Sequence, residues 1–188
     1  MEHYNYQDCD EIGCDFSIRG KVVVVSETVL PQKDIGQLFF CTGGSGAEPN
    51  PADGAVTLVS HSTGEYYHFQ REDVIGSMVP EYLPDDARLQ LSQIRPSGAA
   101  DISTHEPLYS GYSFLLDGRY AAGVWLCSPE EVKDYVEMQS PYQHRVLICD
   151  RDDYAVMEVV NGQVVFPSLE DMEKFLQEQK SNGGMTMT

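Results

Sequence analysis

The hydrophobic positions in the first half of the chain form short runs rich in β-branched and aromatic residues, which are typical of β-strands. These runs lie at 21–30, 37–42, 55–60 and 65–70. The pattern then changes, and 71–78 is predicted to form one helical turn. A helix is predicted at 84–94, because Pro84 suits its first turn and Ala87, Leu91 and Ile94 share one face. The first half is therefore predicted to be mainly β, with one helix at its end.

In the second half, turn signals separate the strand patterns more sharply. Asp117-Gly118 and Asn161-Gly162 are strong two-residue hairpin signals. The strands they separate, together with one more, are predicted at 112–116, 119–126, 145–149, 154–160 and 163–166. A helix is predicted from Ser128, an N-cap followed by proline, to Gln139. Ser168 is expected to cap a last helix whose apolar face carries Leu169, Met172, Phe175 and Leu176.

These elements predict an α+β fold of two small domains, each a mainly antiparallel sheet with one or two helices. The breaker-rich segment between the halves is interpreted as a linker. The predicted organisation is an acidic N-terminal arm at 1–18, a β-rich domain with a C-terminal helix at 19–95, the linker at 96–108, a ββαβββα domain at 109–180 and a disordered tail at 181–188.

Charge narrows the classes of partner. The net charge is −18, and residues 1–100 and 101–188 each hold 15 acidic and 6 basic residues. Direct binding to nucleic acid needs cationic side chains against phosphate, and anionic membranes need the same, so neither is expected. Two explanations of the acidity stay open: solubility, or an anionic surface that occupies a nucleic-acid-binding partner.

The sequence predicts a cytoplasmic protein without a membrane span. No apolar run approaches the roughly 20 residues that cross a bilayer, and the first 15 residues lack the features of a signal peptide. The five cysteines are irregularly spaced, which favours reduced thiols. Cys41, Cys127 and Cys149 lie in apolar, strand-like runs and are interpreted as small buried hydrophobic residues.

A glycine-rich loop at 43–53 is the first candidate for chemistry. It lacks the lysine of a phosphate-binding P-loop, and it leads into prolines and a strand rather than into a helix, so no nucleotide or other cofactor is predicted. The loop is interpreted as a wide strand-to-strand connection whose glycines adopt positive φ. Such a conformationally demanding loop is also a candidate binding site.

Cys41 next to this loop suggests a Cys–His nucleophile, which a strand register can test. If 37–42 pairs with 54–59 and 65–70 pairs with 55–60, Cys41 and His68 share one face but lie beyond hydrogen-bond reach. No catalytic residue is therefore predicted. No metal site is predicted either, because the chain lacks paired ligand motifs and the acidic turn at 150–153 is typical of turn formation.

One stretch, residues 37–91, resembles a small domain of accessory proteins from conjugative elements and phages of gut Firmicutes. The family combines CTGG-x-G, a Pro–Asn segment, a Gly-Glu turn, a D-x-IG step and YLP-x-x-A-R. The matching residues are Cys41 to Gly44, Gly46, Pro49, Asn50, Gly64, Glu65, Asp73, Ile75, Gly76, Tyr82 to Pro84, Ala87 and Arg88. The resemblance implies an accessory protein of a mobile element and implies no particular activity.

The leading functional hypothesis is a non-enzymatic module that binds a protein. One alternative is an acidic inhibitor that mimics nucleic acid and engages a host DNA-binding protein. A further alternative is an unrecognised enzyme with a site near Cys41 and His68. The predicted binding residues lie in the glycine loop and on a sheet face expected to be exposed: Phe39, Cys41, Thr42, Gly43, Gly44, Gly46, Asn50 and His68.

Overall fold

The computed structural model describes residues 4, 9–10, 16–50, 54–120 and 123–167. The first part of the chain forms an antiparallel sheet in the order β1-β6-β2-β3-β4-β5. Its strands are β1 (Cys9–Asp10), β2 (Val22–Val25), β3 (Leu38–Gly43), β4 (Ala55–Ser60), β5 (Tyr66–Gln70) and β6 (Val74–Met78). Helix α1 (Asp85–Leu91) follows this sheet.

The second part forms an antiparallel sheet of five strands in the order β11-β10-β9-β7-β8. Its strands are β7 (Tyr109–Phe114), β8 (Val124–Leu126), β9 (Arg145–Asp150), β10 (Ala155–Val160) and β11 (Gln163–Phe166). Helix α2 (Pro129–Gln139) lies between β8 and β9 in the chain. The predicted α+β class, with two antiparallel sheets and helices, is confirmed.

Helix α2 contributes to one hydrophobic cluster of each sheet, so the two sheets share one helical layer. Val132 and Tyr135 of α2 pack with residues of the second sheet such as Ile148. Met138, one turn further along, packs in the cluster of the first sheet and α1, as does Tyr142 just after the helix. The proposed division at 96–108 stays a prediction, and these contacts show how closely the two predicted domains are joined.

Buried hydrogen bonds reinforce this junction. Tyr142 Oη accepts from the backbone N–H of Val22 at 2.8 Å. Gln139 Nε2 donates to the carbonyl of Leu91, and Tyr135 Oη donates to that of Ser92, both at 2.8 Å. Each such bond contributes about 1 kcal/mol, and a buried partner left alone costs more. Burial raises the pKa of Tyr142 to about 12, which keeps its hydroxyl neutral at ordinary pH.

Local signals predicted most elements well and two poorly. Ser128 Oγ accepts from the N–H of Glu131 at the start of α2, and Asn161-Gly162 adopts the positive φ values, 49° and 74°, of a two-residue hairpin. Segment 71–78 was predicted to be one helical turn, which is wrong beyond Asp73, because strand β6 begins at Val74. The loop of the hairpin at Asp117-Gly118 is one residue longer than predicted, because the backbone N–H of Leu115 donates to the carbonyl of Arg119 and closes a three-residue loop. The predicted last helix and tail lie outside the described residues.

The predicted register between β3 and β4 is wrong by three residues. Cys41 lies opposite Leu58, whereas the prediction placed it opposite residue 55. The ladder shifts between Cys41 and Gly43, and this irregularity was not foreseen. A shift by an odd number moves each side chain of β3 to the other face of the sheet, relative to β4. The register predicted between β4 and β5 is confirmed by the pairing of Ala55 with Gln70.

Candidate functional site

The glycine-rich loop between β3 and β4 folds back tightly on its own backbone. Gly44 has a φ of 101° and precedes a single 3-10 turn. A Cβ atom on Gly44 would lie 2.3 Å from the carbonyl oxygen of Ala55, and one on Gly46 would lie 2.2 Å from that of Gly54. Real Cβ atoms are not found this close to backbone. The two glycines are therefore explained by the close approach of the two ends of the loop.

Two arginines beside the loop hold it in place. Arg19 Nε donates to Glu48 Oε1 at 3.0 Å. Arg71 donates through Nη1 to the carbonyl of Gly46 and through Nη2 to that of Phe16, both at 2.9 Å. A phosphate-binding loop directs N–H groups and cations toward its ligand. Here the guanidinium groups bind backbone and carboxylate instead, which supports a structural role for the loop.

Three of the predicted binding residues are fully buried in the first sheet: Phe39, Cys41 and Thr42. Phe39 makes edge-to-face contacts with Tyr67 and Phe69, with ring centroids 5.7 and 6.1 Å apart. Thr42 Oγ1 donates to the carbonyl of Thr57 at 3.2 Å. The expectation of an exposed face around Phe39 is wrong, because the true register turns this ring into the core.

Cys41 and His68 lie on opposite faces of the first sheet. Cys41 is paired with Leu58 and shares its face, whereas His68 is paired with Thr57 and shares the other. The imidazole Nδ1 of His68 is 3.4 Å from Thr57 Oγ1. The sheet itself thus separates the thiol from the imidazole, and the two do not form a nucleophile–base pair.

The environment of Cys41 also disfavours nucleophilic chemistry. Burial raises the pKa of its thiol to about 11, outweighing the opposing effects of a backbone hydrogen bond at Gly43 and of the charges of Arg19 and Arg71. The thiolate is the reactive form of cysteine, and it is scarce at neutral pH when the pKa is raised. Cys41 and Cys149 are buried as predicted, whereas Cys127, predicted to be buried, is partly exposed.

Of the remaining predicted residues, Gly43 is the buried last residue of β3, and Asn50 lies in the loop. Gly43 has a φ of 153°, and a Cβ atom there would lie 3.0 Å from the side chain of Ser97. Asn50 is exposed, with a left-handed φ of 51° that suits a turn. The next three residues lie outside the described ranges. Within those ranges no group of three or more His, Cys, Asp or Glu side chains could hold a metal ion.

A different surface, on the outer side of the second sheet, carries an aromatic cluster. We call this surface the aromatic face and define it by four residues: Tyr112, Phe114, Tyr120 and Trp125. The rings of Tyr112 and Phe114 lie 6.4 and 5.4 Å from that of Tyr120, centroid to centroid. Tyr120 is 58% and Trp125 54% exposed. The apolar residues of α1 and α2 pack in the layer between the sheets, so neither helix covers this face.

Strand β7 directs Tyr112 and Phe114 outward where α2 fills the space on the inner side. Its inward positions there carry the small residues Gly111 and Ser113, opposite Ile148 and Val146 of β9, while Tyr109 at the start of the strand packs inward against the same cluster. A Cβ atom on Gly111 would lie 2.7 Å from the ring of Tyr135, and Ser113 Oγ is 3.0 Å from Tyr135 Oη. The ring of Tyr135 therefore occupies the inner side at Gly111 and Ser113, and Tyr112 and Phe114 lie on the other side.

The aromatic face is held in a defined arrangement. Tyr112 lies across Gly123, where a Cβ atom would come within 2.5 Å of the ring. The guanidinium of Arg145 lies 4.9 Å from the centroid of the Phe114 ring and donates to Glu158 at 2.5 Å. Sequence reasoning missed this surface, and its signal was the alternation of small and aromatic residues along β7.

A cavity of about 310 Å³ lies beside the start of α2 and is lined by Cys127 and Ser128 among others. Buried Glu131 also lines it, accepting from Arg95 Nη2 at 3.2 Å and from the N–H groups of Ala100 and Cys127 at 2.8 Å. This network ties part of the predicted linker to the helix. The protein itself thereby supplies hydrogen-bond donors to both carboxylate oxygens of Glu131, which is typical of a buried carboxylate with a structural role.

No family model, curated protein or solved structure matches this chain. Among the described residues, no helix combines the length and apolar character needed to cross a membrane. The geometry of the site therefore carries the functional argument.

Proposed function

We propose that this chain is a non-enzymatic, cytoplasmic protein-binding module that docks its partner on the aromatic face. The observation that carries the proposal is the exposure of Tyr120 and Trp125 on a sheet face that neither described helix covers. Tryptophan, tyrosine and arginine are the residues most enriched in the energetic centres of protein interfaces. Here Tyr120 and Trp125 lie on the same face, and Arg145 stacks on Phe114.

The defined geometry of the face supports binding rather than incidental exposure. The rings of Tyr112, Phe114 and Tyr120 contact one another, and Tyr112 also packs closely on Gly123. Together with the Arg145–Glu158 pair, these contacts limit the freedom of the three side chains. A surface that is ordered before binding loses less conformational entropy when the partner docks. The strong net negative charge favours a partner with a basic rim around its docking site.

The setting in a mobile element rests on the resemblance of residues 37–91 alone. Three of the residues that carry it have clear structural roles in this protein. Gly44 and Gly46 permit the tight loop, and Arg88 donates to the carbonyls of Leu83, Tyr142 and Pro80. The resemblance thus supports a first sheet similar to the domain of that family, and on this basis we propose an accessory role in a mobile element.

The acidic mimic of nucleic acid is the second candidate, favoured by a net charge of −18 spread over both halves. Several carboxylates are already neutralised within the protein. Among those facing a cation within 4 Å are Glu48, Glu65, Asp85, Glu106, Asp117, Glu131, Glu137 and Glu158. Such pairing leaves fewer carboxylates to imitate phosphates, so we rank the mimic below the aromatic face.

Capture with matched variants distinguishes these candidates. The full-length tagged chain, Tyr120→Ala/Trp125→Ala and the control Tyr66→Ala/Tyr82→Ala are exposed to a Firmicute lysate at low and high salt. The control removes two aromatic rings of similar exposure, 60% and 74%, outside the aromatic face. We expect a protein that resists salt, is retained by the control and is lost by the variant in the aromatic face.

Two results contradict the proposal. Capture by both double variants at the same level would show that the aromatic face is not the docking site. Capture only of DNA-binding proteins, abolished by high salt and insensitive to both variants, would favour the electrostatic mimic, because exposed charge interactions are screened by salt.

A further inference from the structure

Strand β5 is an edge of the first sheet whose outer backbone groups can accept a further strand. It pairs with β4 without a register shift, and no other described strand pairs with it. Just before β5, the carbonyl of Glu65 accepts from the N–H of Ser60 in β4. Because such groups alternate in direction along an antiparallel strand, the N–H and C=O groups of Tyr66 and His68 point away from β4.

The usual devices that protect an edge strand are missing from β5. Tyr66–Gln70 contains no acidic residue, lysine, arginine or proline, and its register with β4 has no bulge. Of the outward groups, the N–H of Gln70 donates to Asp73 Oδ2 at 2.9 Å, which limits the open stretch to Tyr66 and His68. These alternating donors and acceptors match an extended backbone, and a helix offers no such row.

A groove of about 590 Å³ lies beside this edge, between the first sheet and α1. Val59, Leu89 and Ile94 form its apolar part, and Tyr66, which is 60% exposed, lines it as well. Tyr66 is paired with Val59, a member of the cluster packed under α1, so the groove lies on the α1 face of the sheet. A strand added to β5 would direct every second side chain to this face.

Charge at the groove indicates which side chain it favours. The carboxylate of Asp86 lines the groove and is 80% exposed, and among the described residues only His61, at 3.7 Å, is a basic group within 4 Å of it. The other charged residue of the lining, Arg95, is already paired with Glu131 at 3.2 Å. In a chain of net charge −18, the groove therefore favours a cationic side chain.

We propose that β5 and this groove bind an extended segment of a partner protein, which adds a seventh strand to the first sheet. On the α1 face, the segment carries an apolar side chain and, two residues away, a lysine or arginine. The site is separate from the aromatic face, so it does not depend on the function proposed above. Binding at the two sites is distinguished by Tyr120→Ala/Trp125→Ala, which leaves the groove intact.

The test begins with displayed random peptides of about ten residues, selected on the immobilised full-length chain. We expect enrichment of peptides in which a lysine or arginine lies two residues from an apolar side chain. The most enriched peptide is then labelled, and its affinity is measured by fluorescence anisotropy. Methylating single backbone nitrogens of this peptide should weaken binding at least about tenfold at alternate positions, which face β5, and have little effect between them.

Substitutions in the protein locate the site. His68→Pro removes an N–H that points away from β4, so it should weaken binding at least about tenfold without breaking the ladder. Asp86→Lys should weaken binding at least about fivefold. The matched control Asp152→Lys makes the same change of charge in an exposed turn of the second sheet and should stay within about twofold of the original. Thermal unfolding checks that each variant remains folded.

Three results would overturn the proposal. Selection without enrichment over an uncoated surface, or binding that survives methylation at every position, would exclude the addition of a strand. Equal affinity of the peptide for the original chain and both groove variants would place the binding site elsewhere. A dimer of the original chain that His68→Pro dissociates, measured by sedimentation equilibrium, would assign the edge to a second copy instead.

Discussion

The two sheets of this protein differ in how much of each is sealed from solvent. In the first sheet every residue of the central strands β2 and β3 is buried, and hydrophobic clusters lie on both faces, whereas its edge strand β5 is partly exposed. In the second sheet the inner face packs on α2, the outer face carries partly exposed aromatic rings, and β11 is exposed throughout. The first sheet, called the sealed sheet below, holds most of the residues that suggest chemistry in the sequence. The second sheet, called the open sheet below, holds the exposed aromatic face.

Conspicuous sequence motifs and exposed surfaces therefore lie in different parts of this protein. The glycines and Cys41 are conspicuous because they solve packing problems inside the first sheet. The aromatic residues of β7 attract no motif search, yet they lie where a second protein can reach them. The following changes test this difference, beginning with the largest expected effect.

Replacing Phe39 by alanine should have the largest effect, because the ring is fully buried in the sealed sheet. Its loss removes the contacts with Tyr67 and Phe69 and leaves a cavity, which typically lowers the free energy of unfolding by about 4 kcal/mol. Urea unfolding followed by circular dichroism measures the change. A loss below about 1 kcal/mol would contradict the burial on which the comparison rests.

Gly44→Ala should lower the free energy of unfolding by about 3 kcal/mol, because the added methyl group meets the Ala55 carbonyl and the φ of 101° is strained for alanine. Gly98→Ala is the matched control. Its φ is +81° and no atom lies within 4 Å of the added methyl, so the expected loss is about 1 kcal/mol. Equal losses in urea unfolding would show that the loop glycines are needed only for their conformation.

Alkaline pH should weaken the sealed sheet through Cys41. The pKa of its thiol is raised from 9.0 to about 11, so the folded chain retains a proton that the unfolded chain releases. Stability from this group is therefore full below pH 9 and declines as the pH rises toward 11, by about 2 kcal/mol at pH 10.5. We expect Cys41→Ala to lose less stability than the original chain between pH 8 and 10.5. Parallel curves for the two proteins would indicate that the thiol is not buried in this way.

Tyr142→Phe tests whether the sealed sheet depends on the second half of the chain. The change leaves the buried N–H of Val22 without its acceptor and should cost about 1–2 kcal/mol in urea unfolding. Tyr82→Phe removes the hydroxyl of a tyrosine that is 74% exposed and should stay within about 0.5 kcal/mol of the original. If both changes left the free energy of unfolding unchanged, the hydrogen bond between Tyr142 and Val22 would not contribute to stability as proposed.

Trp125→Ala should have the smallest effect on stability, within about 0.5 kcal/mol by urea unfolding, because the indole is 54% exposed on the open sheet. A loss above about 2 kcal/mol would indicate that the ring is a core residue, and the aromatic face would then lose its status as a surface.

Elements with local punctuation were predictable from the sequence. Ser128-Pro129 determines the start of α2 through its own cap, and Asn161-Gly162 supports the left-handed φ values of its turn. The continuous apolar strands β2 and β3 carry no alternation that indicates which face a residue occupies. The shift after Cys41 then altered the register, so Phe39 was assigned to the wrong face.

The aromatic face was not predictable from periodicity. Small and aromatic residues alternate along Gly111–Phe114, but this alternation does not say which set faces the core. That choice depends on Tyr135 of α2, whose ring fills the space above Gly111. A contact between residues so distant in the chain becomes evident only once the helix is placed on the sheet.

The most direct test of the central claim measures binding and stability on the same variant. Once the captured partner is purified, its affinity for the original chain and for Tyr120→Ala/Trp125→Ala is measured by titration calorimetry, alongside urea unfolding of both. The account predicts an affinity at least about tenfold weaker with the free energy of unfolding within about 1 kcal/mol of the original. Unchanged affinity in a stably folded variant would contradict it, and would show that the open face of the second sheet is not where the partner binds.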